Sequence, residues 1–297
     1  MARNLRLYRN AAAGARKYVG DIPDGLEYYV LGSTTASCAY DFQAVGGNGF
    51  NGAVAPQTVS YDYRLLEQYH TKMKKGGTVI WSPCVFSLCV PEYEKTRMHL
   101  RYCYVFEKAN IYRANGLTEI LAAVYPIICL AALPVRRYAF PIARRIKHKL
   151  LGNGKSVPMD AASRLAASAE GSCRGWEKEF MLNEMHISAL SDMKRRMEYC
   201  LSYLRKIKKL CEENQLNFVI VIPPVSRAML ARLCRDDLER FLLRPIEESG
   251  ESFRIWNYFD DKFFSDDKFF DTAICMNDTG RRLFTKEVIK RIGAEIL

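Results

Sequence analysis

A cluster of small hydroxyl residues follows a predicted buried strand near the start of the chain. Residues 28–31 are aromatic or aliphatic, Gly32 comes next, and Ser33, Thr34 and Thr35 follow it. This pattern predicts a strand that ends in a tight turn and presents hydroxyl groups at its carboxyl end. Ligands bind at that edge of an open α/β sheet, and a glycine lets the backbone approach them closely. We therefore expect chemistry or polar recognition at Ser33 and Thr34.

Further apolar runs indicate the sheet that holds this turn. They predict strands at residues 78–81, 217–222 and 252–257, with a short one around the glycine-rich stretch 46–52. The clearest is 217–222, because two prolines follow it and cannot continue a central strand. Together with the first strand these runs make a sheet of five.

Helical spacing of apolar residues predicts helices between those strands. The predicted helices cover residues 4–17, 58–75, 188–214, 226–248 and 278–296. Apolar strands separated by helices are typical of a parallel sheet covered on both faces. The sequence thus predicts an α/β fold, a three-layer sandwich with a parallel five-stranded sheet and flavodoxin-like strand order. In that order the switch point lies between the first and third strands, beside Ser33.

Composition and charge limit the classes of partner. The chain has 297 residues, 49% of them hydrophobic, which is enough for a full core and argues against disorder. Its formal net charge of +11 favours an acidic partner, either nucleic acid or an anionic membrane surface. No nucleic-acid-binding motif is recognisable, and the basic residues cluster beside an apolar segment. We therefore expect no nucleic-acid partner.

The ten cysteines are scattered and form no Cys-x-x-Cys pair. Several lie in apolar or helical patterns, where a reduced thiol packs as a small hydrophobic group. This usage indicates a reducing, cytoplasmic environment, and residues 1–17 show neither a signal peptide nor an anchor. No pair of Cys or His residues has metal-ligand spacing, so we expect no metal and no cofactor.

The middle of the chain departs from the strand–helix alternation. Residues 117–135 are mostly apolar, but Glu119, Pro126 and Pro134 argue against a plain membrane-spanning helix. Six basic residues follow: Arg136, Arg137, Arg144, Arg145, Lys147 and Lys149. One interpretation is a helical insertion packed on the main domain, and the other is an interfacial helix lying on an acidic membrane leaflet. The second would make the protein peripheral at the inner membrane face.

These segments define a domain organisation. Residues 1–94 and 176–297 are predicted to be two parts of one α/β domain. Residues 95–175 are predicted to be a helical, basic insertion and linker, ending in a Gly-, Ser- and Ala-rich mobile connection at 152–175.

Three segments carry a resemblance to a known family. They are Gly32-Ser33-Thr34 after the first strand, Asn51 after the second, and residues 270–280 (Phe-Asp-Thr-Ala-Ile-Cys-Met-Asn-Asp-Thr-Gly) before the last helix. In this order they resemble the blocks of the SGNH (GDSL-like) hydrolases, especially members associated with bacterial capsular or surface polysaccharide synthesis. The resemblance implies a flavodoxin-like domain that removes or transfers an acyl ester on a sugar. The implied partner is an acylated glycan or glycan precursor.

The resemblance also implies a role for individual residues. In such enzymes a serine attacks the ester, a late histidine takes its proton, an aspartate orients that histidine, and amide groups hold the oxyanion. The nucleophile position falls on Thr34, with Ser33 one residue out of register. The histidine position falls on Cys275, and the orienting position falls on Thr272, next to Asp271. The candidate oxyanion or substrate-binding residues are Gly32, Asn51 and Asn277.

A thiol at the histidine position changes the expected chemistry. Cys275 cannot replace imidazole, because a thiol lacks a second nitrogen for an orienting partner to hold. The four histidines, at positions 70, 99, 148 and 186, lie outside this block. One hypothesis is therefore a carbohydrate O-acyl esterase or acyltransferase with a degenerate triad and an unrecognised base. The other is a non-catalytic descendant that serves as a binding or scaffolding module of the polysaccharide assembly machinery on the membrane surface.

Overall fold

The computed structural model describes residues 15–18, 22–90, 159–180 and 187–296. The chain divides into two compact units. One, here called the basic unit, comprises Met1–Gly20 and Tyr93–Ala161. The other, the sheet unit, comprises Asp21–Glu92 and Ala162–Leu297. The described part of the basic unit includes a single turn of 3₁₀ helix at Arg16–Tyr18.

Five parallel strands form the sheet of the sheet unit. They are β1 (Leu26–Gly32), β2 (Gly49–Asn51), β3 (Met73–Ser82), β4 (Asn217–Ile222) and β5 (Ile255–Asn257). Their order is β2-β1-β3-β4-β5, and all four pairings are parallel. This is the flavodoxin-like order, with the switch point between β1 and β3. The predicted α/β sandwich is confirmed.

Helices flank the sheet. They are α1 (Thr34–Ser37), α2 (Val59–Tyr69), α3 (Ala161–Phe180), α4 (Ile187–Glu213), α5 (Arg227–Leu230), α6 (Arg235–Leu238), α7 (Arg244–Glu247) and α8 (Asp278–Glu295). Short 3₁₀ turns occur at Gln43–Val45, His70–Lys72 and Asp267–Phe269. An antiparallel pair, β6 (Phe270–Thr272) and β7 (Cys275–Met276), precedes α8.

The core is built on the alternation of side chains along the strands. Val30, Ile80 and Val221 lie on one face and pack in a single cluster with Phe284 and Val288 of α8. All five side chains are fully buried, and each contributes roughly 1.5–3 kcal/mol by leaving water. On α2 and α4, which contact each other, further aliphatic side chains are buried in the same way.

The third strand begins earlier than predicted. The helix predicted over 58–75 ends at Tyr69, and β3 starts at Met73 instead of residue 78. Leu26 pairs with Met73 across an irregularity in the register. Gly76 has φ +76°, and a Cβ on Gly77 would stand 3.0 Å from the Leu26 carbonyl oxygen. Gly76 and Gly77 therefore lie in an irregular stretch of β3 instead of ending a helix.

Two other predictions were wrong. The region 226–248 is not one helix: α5, α6, a π-helical turn (Glu239–Leu243) and α7 divide it. Much of the region 152–175 belongs to helix α3 and so is not a mobile connection. The predicted segment 117–135 and the six basic residues after it lie outside the described residues, as does most of the predicted helix 4–17. Among the helices that are described, none has the length and apolarity to cross a membrane.

Candidate functional site

The turn after β1 depends on a glycine. Gly32 has φ +136° and pairs with Ser82 at the end of β3. A Cβ atom at this position would overlap the carbonyl oxygen of Ser82. Glycine is therefore required both by the dihedral angle and by the close approach of two backbones. This geometry places the hydroxyl residues 33–35 at the carboxyl edge of the sheet, as predicted.

A buried carboxylate lies beneath the turn. Asp62 of α2 accepts hydrogen bonds from the Gly32 backbone N–H (2.9 Å), the Trp81 indole N–H (3.0 Å) and the Gln57 side-chain amide. Only 2% of the residue is exposed. Burial raises the pKa of Asp62 to about 7, even though all three donors act to lower it. Asp62 thus ties the end of β1 to α2 and β3.

The two candidate nucleophiles differ in their surroundings. Ser33 is buried, and its Oγ accepts a hydrogen bond from the backbone N–H of Gln57 (3.1 Å). Thr34 is partly exposed, and its hydroxyl makes no hydrogen bond within the described part of the chain. The buried Thr35 hydroxyl also has no partner among the described residues. Thr34 therefore presents the accessible hydroxyl of this turn, whereas Ser33 shapes it.

A second hydroxyl network joins the turn to the centre of the sheet. Ser82 donates a hydrogen bond to the Val221 carbonyl oxygen (2.8 Å) and lies 3.1 Å from the Tyr40 hydroxyl, which donates to it. Tyr40 is buried, and that burial raises the pKa of its phenol above the ordinary value. These groups stay neutral and hold β3, β4 and the segment after α1 together.

The early and late segments that the resemblance pairs meet at this edge. The Asp41 backbone N–H donates to Thr285 Oγ1 (2.9 Å), and the rings of Tyr40 and Phe284 lie 5.5 Å apart. Residues from the two ends of the chain therefore share one site.

Cys275 is held in its protonated form. The neighbouring Cys38 thiol and burial both raise the pKa of Cys275, and the carboxylate of Asp271 acts in the same direction. The Thr272 hydroxyl accepts a hydrogen bond from the Cys275 backbone N–H (3.1 Å). Thr272 therefore shapes the β6–β7 turn, and Cys275 has no proton-accepting character at neutral pH.

The candidate oxyanion donors are already engaged. The Asn51 side-chain N–H groups donate to the Ala36 and Tyr40 carbonyl oxygens (3.1 and 3.2 Å). Asn277 caps α8: its Oδ1 accepts from the Gly280 N–H (3.0 Å), and its Nδ2 donates to a loop carbonyl. The Gly32 N–H points to Asp62. In this structure all three stabilise the loops around the turn.

The one histidine among the described residues lies at the other edge of the sheet. His70 ends α2, and its Nδ1 lies 3.0 Å from the Glu67 carbonyl oxygen. It precedes Met73, which pairs with Leu26 at the start of β1. The length of β1, about 20 Å at 3.3 Å per residue, separates His70 from Thr34. His70 therefore does not serve as a base for this turn.

The loop after β5 buries most of its aromatic side chains. Phe259, Phe264 and Phe269 are buried, but Phe263 is 56% exposed. Its ring lies 5.3 Å from that of Phe269, whose carbonyl oxygen accepts the Asn277 N–H. Phe263 thus lies in the loop that packs against the α8 cap.

Asp62 is the important site residue that sequence reasoning missed. It lies in the amphipathic pattern of α2 between Tyr61 and Tyr63, and nothing in that pattern marks its carboxylate as buried. Among the described residues, no three His, Cys, Asp or Glu side chains come together as metal ligands. No protein-family model and no curated protein matches this chain.

Proposed function

We propose that the carboxyl edge of this sheet is an SGNH-like site that binds an acyl ester on a glycan or glycan precursor without cleaving it. The observation that carries the proposal is the free thiol of Cys275, which stands where the resemblance calls for a histidine. An ester-cleaving hydroxyl needs a base within about hydrogen-bond reach, roughly 3 Å. Within the described residues the Thr34 hydroxyl has no such base.

Three features support recognition of an acylated sugar. The Thr34 hydroxyl is accessible and can donate to a carbonyl oxygen. Its neighbours Gly32 and Ser33 are fixed by Asp62 and by the Gln57 backbone, so the turn is already organised before a ligand arrives. The exposed ring of Phe263 offers a flat apolar surface of the kind that stacks on sugars.

The direct test separates binding from cleavage. O-acetylated monosaccharides are titrated into the full chain, and each is compared with its deacetylated twin, the same sugar without the acetyl group. Free acetate is followed by NMR during the titration. We expect the acetylated form to bind more tightly than its twin, with no acetate released. Thr34→Ala should weaken that preference, and Thr34→Ser should retain it. Equal binding of both twins would contradict the proposal.

A catalytic function is the second candidate, favoured by the accessibility of Thr34. Threonine can act as a nucleophile when a base takes its proton. An O-acyl esterase or acyltransferase would release p-nitrophenol from its acetyl ester in a manner that depends on Thr34 or Ser33. Activity that persists unchanged in the Ser33→Ala, Thr34→Ala double variant would exclude this assignment.

We also propose that the basic unit contacts an acidic membrane surface. It contains 17 Lys and Arg residues against 4 Asp and Glu, whereas the sheet unit contains 27 against 29. Attraction of such a segment to acidic lipid falls as salt rises. We expect the full chain to float with phosphatidylserine vesicles at low salt, and not with neutral ones. Replacing the six basic residues 136, 137, 144, 145, 147 and 149 by Gln should abolish flotation, and unchanged flotation would contradict the proposal.

A further inference from the structure

A cavity of about 530 Å³ lies at the amino edge of the sheet, where β4 and β5 begin. We call it the amino-edge cavity. Its lining includes Asn217 and Phe218 of β4, the residues Phe253 and Arg254 that lead into β5, and Lys208 of α4. Ligand cavities in proteins typically have volumes of about 300–1,000 Å³. A small molecule therefore fits at this edge.

The pairing between β4 and β5 stops at this cavity. It begins at Ile220 and Ile255, where the Ile220 N–H donates to the Arg254 carbonyl oxygen (2.9 Å). Backbone groups along a strand point alternately to its two neighbours. The N–H and C=O of Phe218, two residues earlier, therefore point to the same side as those of Ile220, and none of the described residues on that side pairs with them. One donor and one acceptor of the main chain are thus available to a ligand.

Two phenylalanine rings form the apolar part of the lining. Phe218 and Phe253 are both half-buried, with ring centroids 6.2 Å apart and ring planes inclined at 75°. The Lys208 ammonium lies 5.5 Å from the centroid of the Phe253 ring. Partly exposed aromatic rings are surfaces on which a planar ligand ring stacks.

Two cationic side chains line the cavity, and they differ in their partners. Lys208 Nζ lies 2.7 Å from a carboxylate oxygen of Glu251 and 4.0 Å from one of Glu212. Arg254 is exposed, and its guanidinium forms no ion pair with any described residue. A guanidinium binds phosphate through two parallel hydrogen bonds. Arg254 is therefore the charge that an anionic ligand can use.

We propose that the amino-edge cavity binds a nucleoside monophosphate. The base stacks on Phe253 and Phe218, the donor and acceptor on its edge pair with the Phe218 backbone, and Arg254 holds the phosphate. This class of ligand combines a planar ring, a neighbouring donor and acceptor, and an anion, which are the three features that the lining can recognise. The inference is independent of the ester-binding proposal, because Thr34 lies at the opposite edge of the sheet.

The test uses three probes that share parts of one molecule. Adenosine 5′-monophosphate (AMP) carries both the ring and the phosphate, adenosine lacks the phosphate, and ribose 5-phosphate lacks the ring. Each is titrated into the full chain by isothermal titration calorimetry. We expect AMP to bind at least about tenfold more tightly than either fragment, because it uses both kinds of contact. Equal binding of AMP and ribose 5-phosphate, or no binding of AMP up to about 1 mM, would overturn the proposal.

Substitutions locate the site. Arg254→Ala and Phe253→Ala should each weaken AMP binding about tenfold, because each removes one charged or one stacking contact. Arg282→Ala is the matched control and should leave binding unchanged. Arg282 is also exposed, but it lies on α8, which packs on the face of the sheet that carries Val219.

The main-chain contact has its own readout. In ¹⁵N-labelled protein the amide resonance of Phe218 should shift as AMP is added and should not shift with ribose 5-phosphate. AMP binding that Arg254→Ala leaves unchanged, or a Phe218 amide that does not move at saturation, would place the ligand elsewhere and overturn the proposal.

Discussion

The two edges of the sheet hold their charged groups in different ways. At the carboxyl edge the Asp62 carboxylate is buried and accepts three hydrogen bonds. At the amino edge Lys74 pairs with Glu27, and Lys72 pairs with Asp24, whose side chain is 80% exposed. A solvated pair contributes about 0–1 kcal/mol, whereas each buried donor that is left without its acceptor costs about 1–3 kcal/mol.

This difference shows which edge of the sheet keeps its polar groups in one fixed geometry. At the amino edge water can replace either partner of an ion pair, so that edge tolerates change. At the carboxyl edge the donors around Asp62 are buried, so water does not readily replace their acceptor. The organised edge is also the one that carries the partly exposed Thr34 hydroxyl and the Cys275 thiol, which is why we assign ester binding there.

The largest expected effect is that of Asp62→Ala. The change leaves the Gly32 N–H, the Trp81 indole and the Gln57 amide without an acceptor, so we expect the free energy of unfolding to fall by about 1–3 kcal/mol for each donor. Urea denaturation measures it. Asp24→Ala at the amino edge is the control, with an expected loss below about 1 kcal/mol. Equal losses of unfolding free energy in Asp62→Ala and Asp24→Ala would show that the two edges do not differ in this way.

Gly32→Ala should have the next largest effect. Its φ of +136° and the overlap of a Cβ with Ser82 combine backbone strain with overpacking, at about 2–4 kcal/mol. Gly25→Ala, with φ +70° and no atom within 4 Å of a Cβ, isolates the strain alone at about 1 kcal/mol. Similar denaturation midpoints for the two variants would show that the close approach of β1 and β3 is unimportant.

The pH dependence of stability offers a third test of the carboxyl edge. The folded pKa of Asp62, about 7, lies above its unfolded value near 4. Between these values the folded state binds more protons than the unfolded state. The contribution of the protonated carboxyl is therefore fully present below about pH 4 and is lost as pH rises through 7, at up to about 1.4 kcal/mol per pH unit. Asp62→Asn should remove this part of the slope, and an identical pH profile for the variant would contradict the assignment.

Lys74→Ala should have the smallest effect. Its ammonium pairs with Glu27 in a half-exposed position, so we expect a change below about 1 kcal/mol that shrinks further in high salt. A loss as large as that of Asp62→Ala, measured in the same urea series, would mean that polar groups at the amino edge are no easier to replace than those at the carboxyl edge.

The sequence was sufficient to predict the sheet, because β1 and β4 are apolar runs that end at glycine or proline. It was misleading at residues 74–77, where two lysines and two glycines were predicted to end a helix and yet belong to β3. The burial of Asp62 could not be predicted, since helical periodicity does not show which polar group finds three donors. The hydrogen bond between Asp41 and Thr285 was likewise beyond local patterns, because it joins residues 244 positions apart in the chain.

The most direct test of the central claim is ester hydrolysis by the full chain. Release of p-nitrophenol from its acetyl ester is compared between the wild type and the Ser33→Ala, Thr34→Ala double variant, both under reducing conditions. We predict equal rates, neither above that of an unrelated protein of similar charge, because Cys275 keeps its proton. A wild-type rate that exceeds the double variant's would contradict the claim that this site binds an ester without cleaving it.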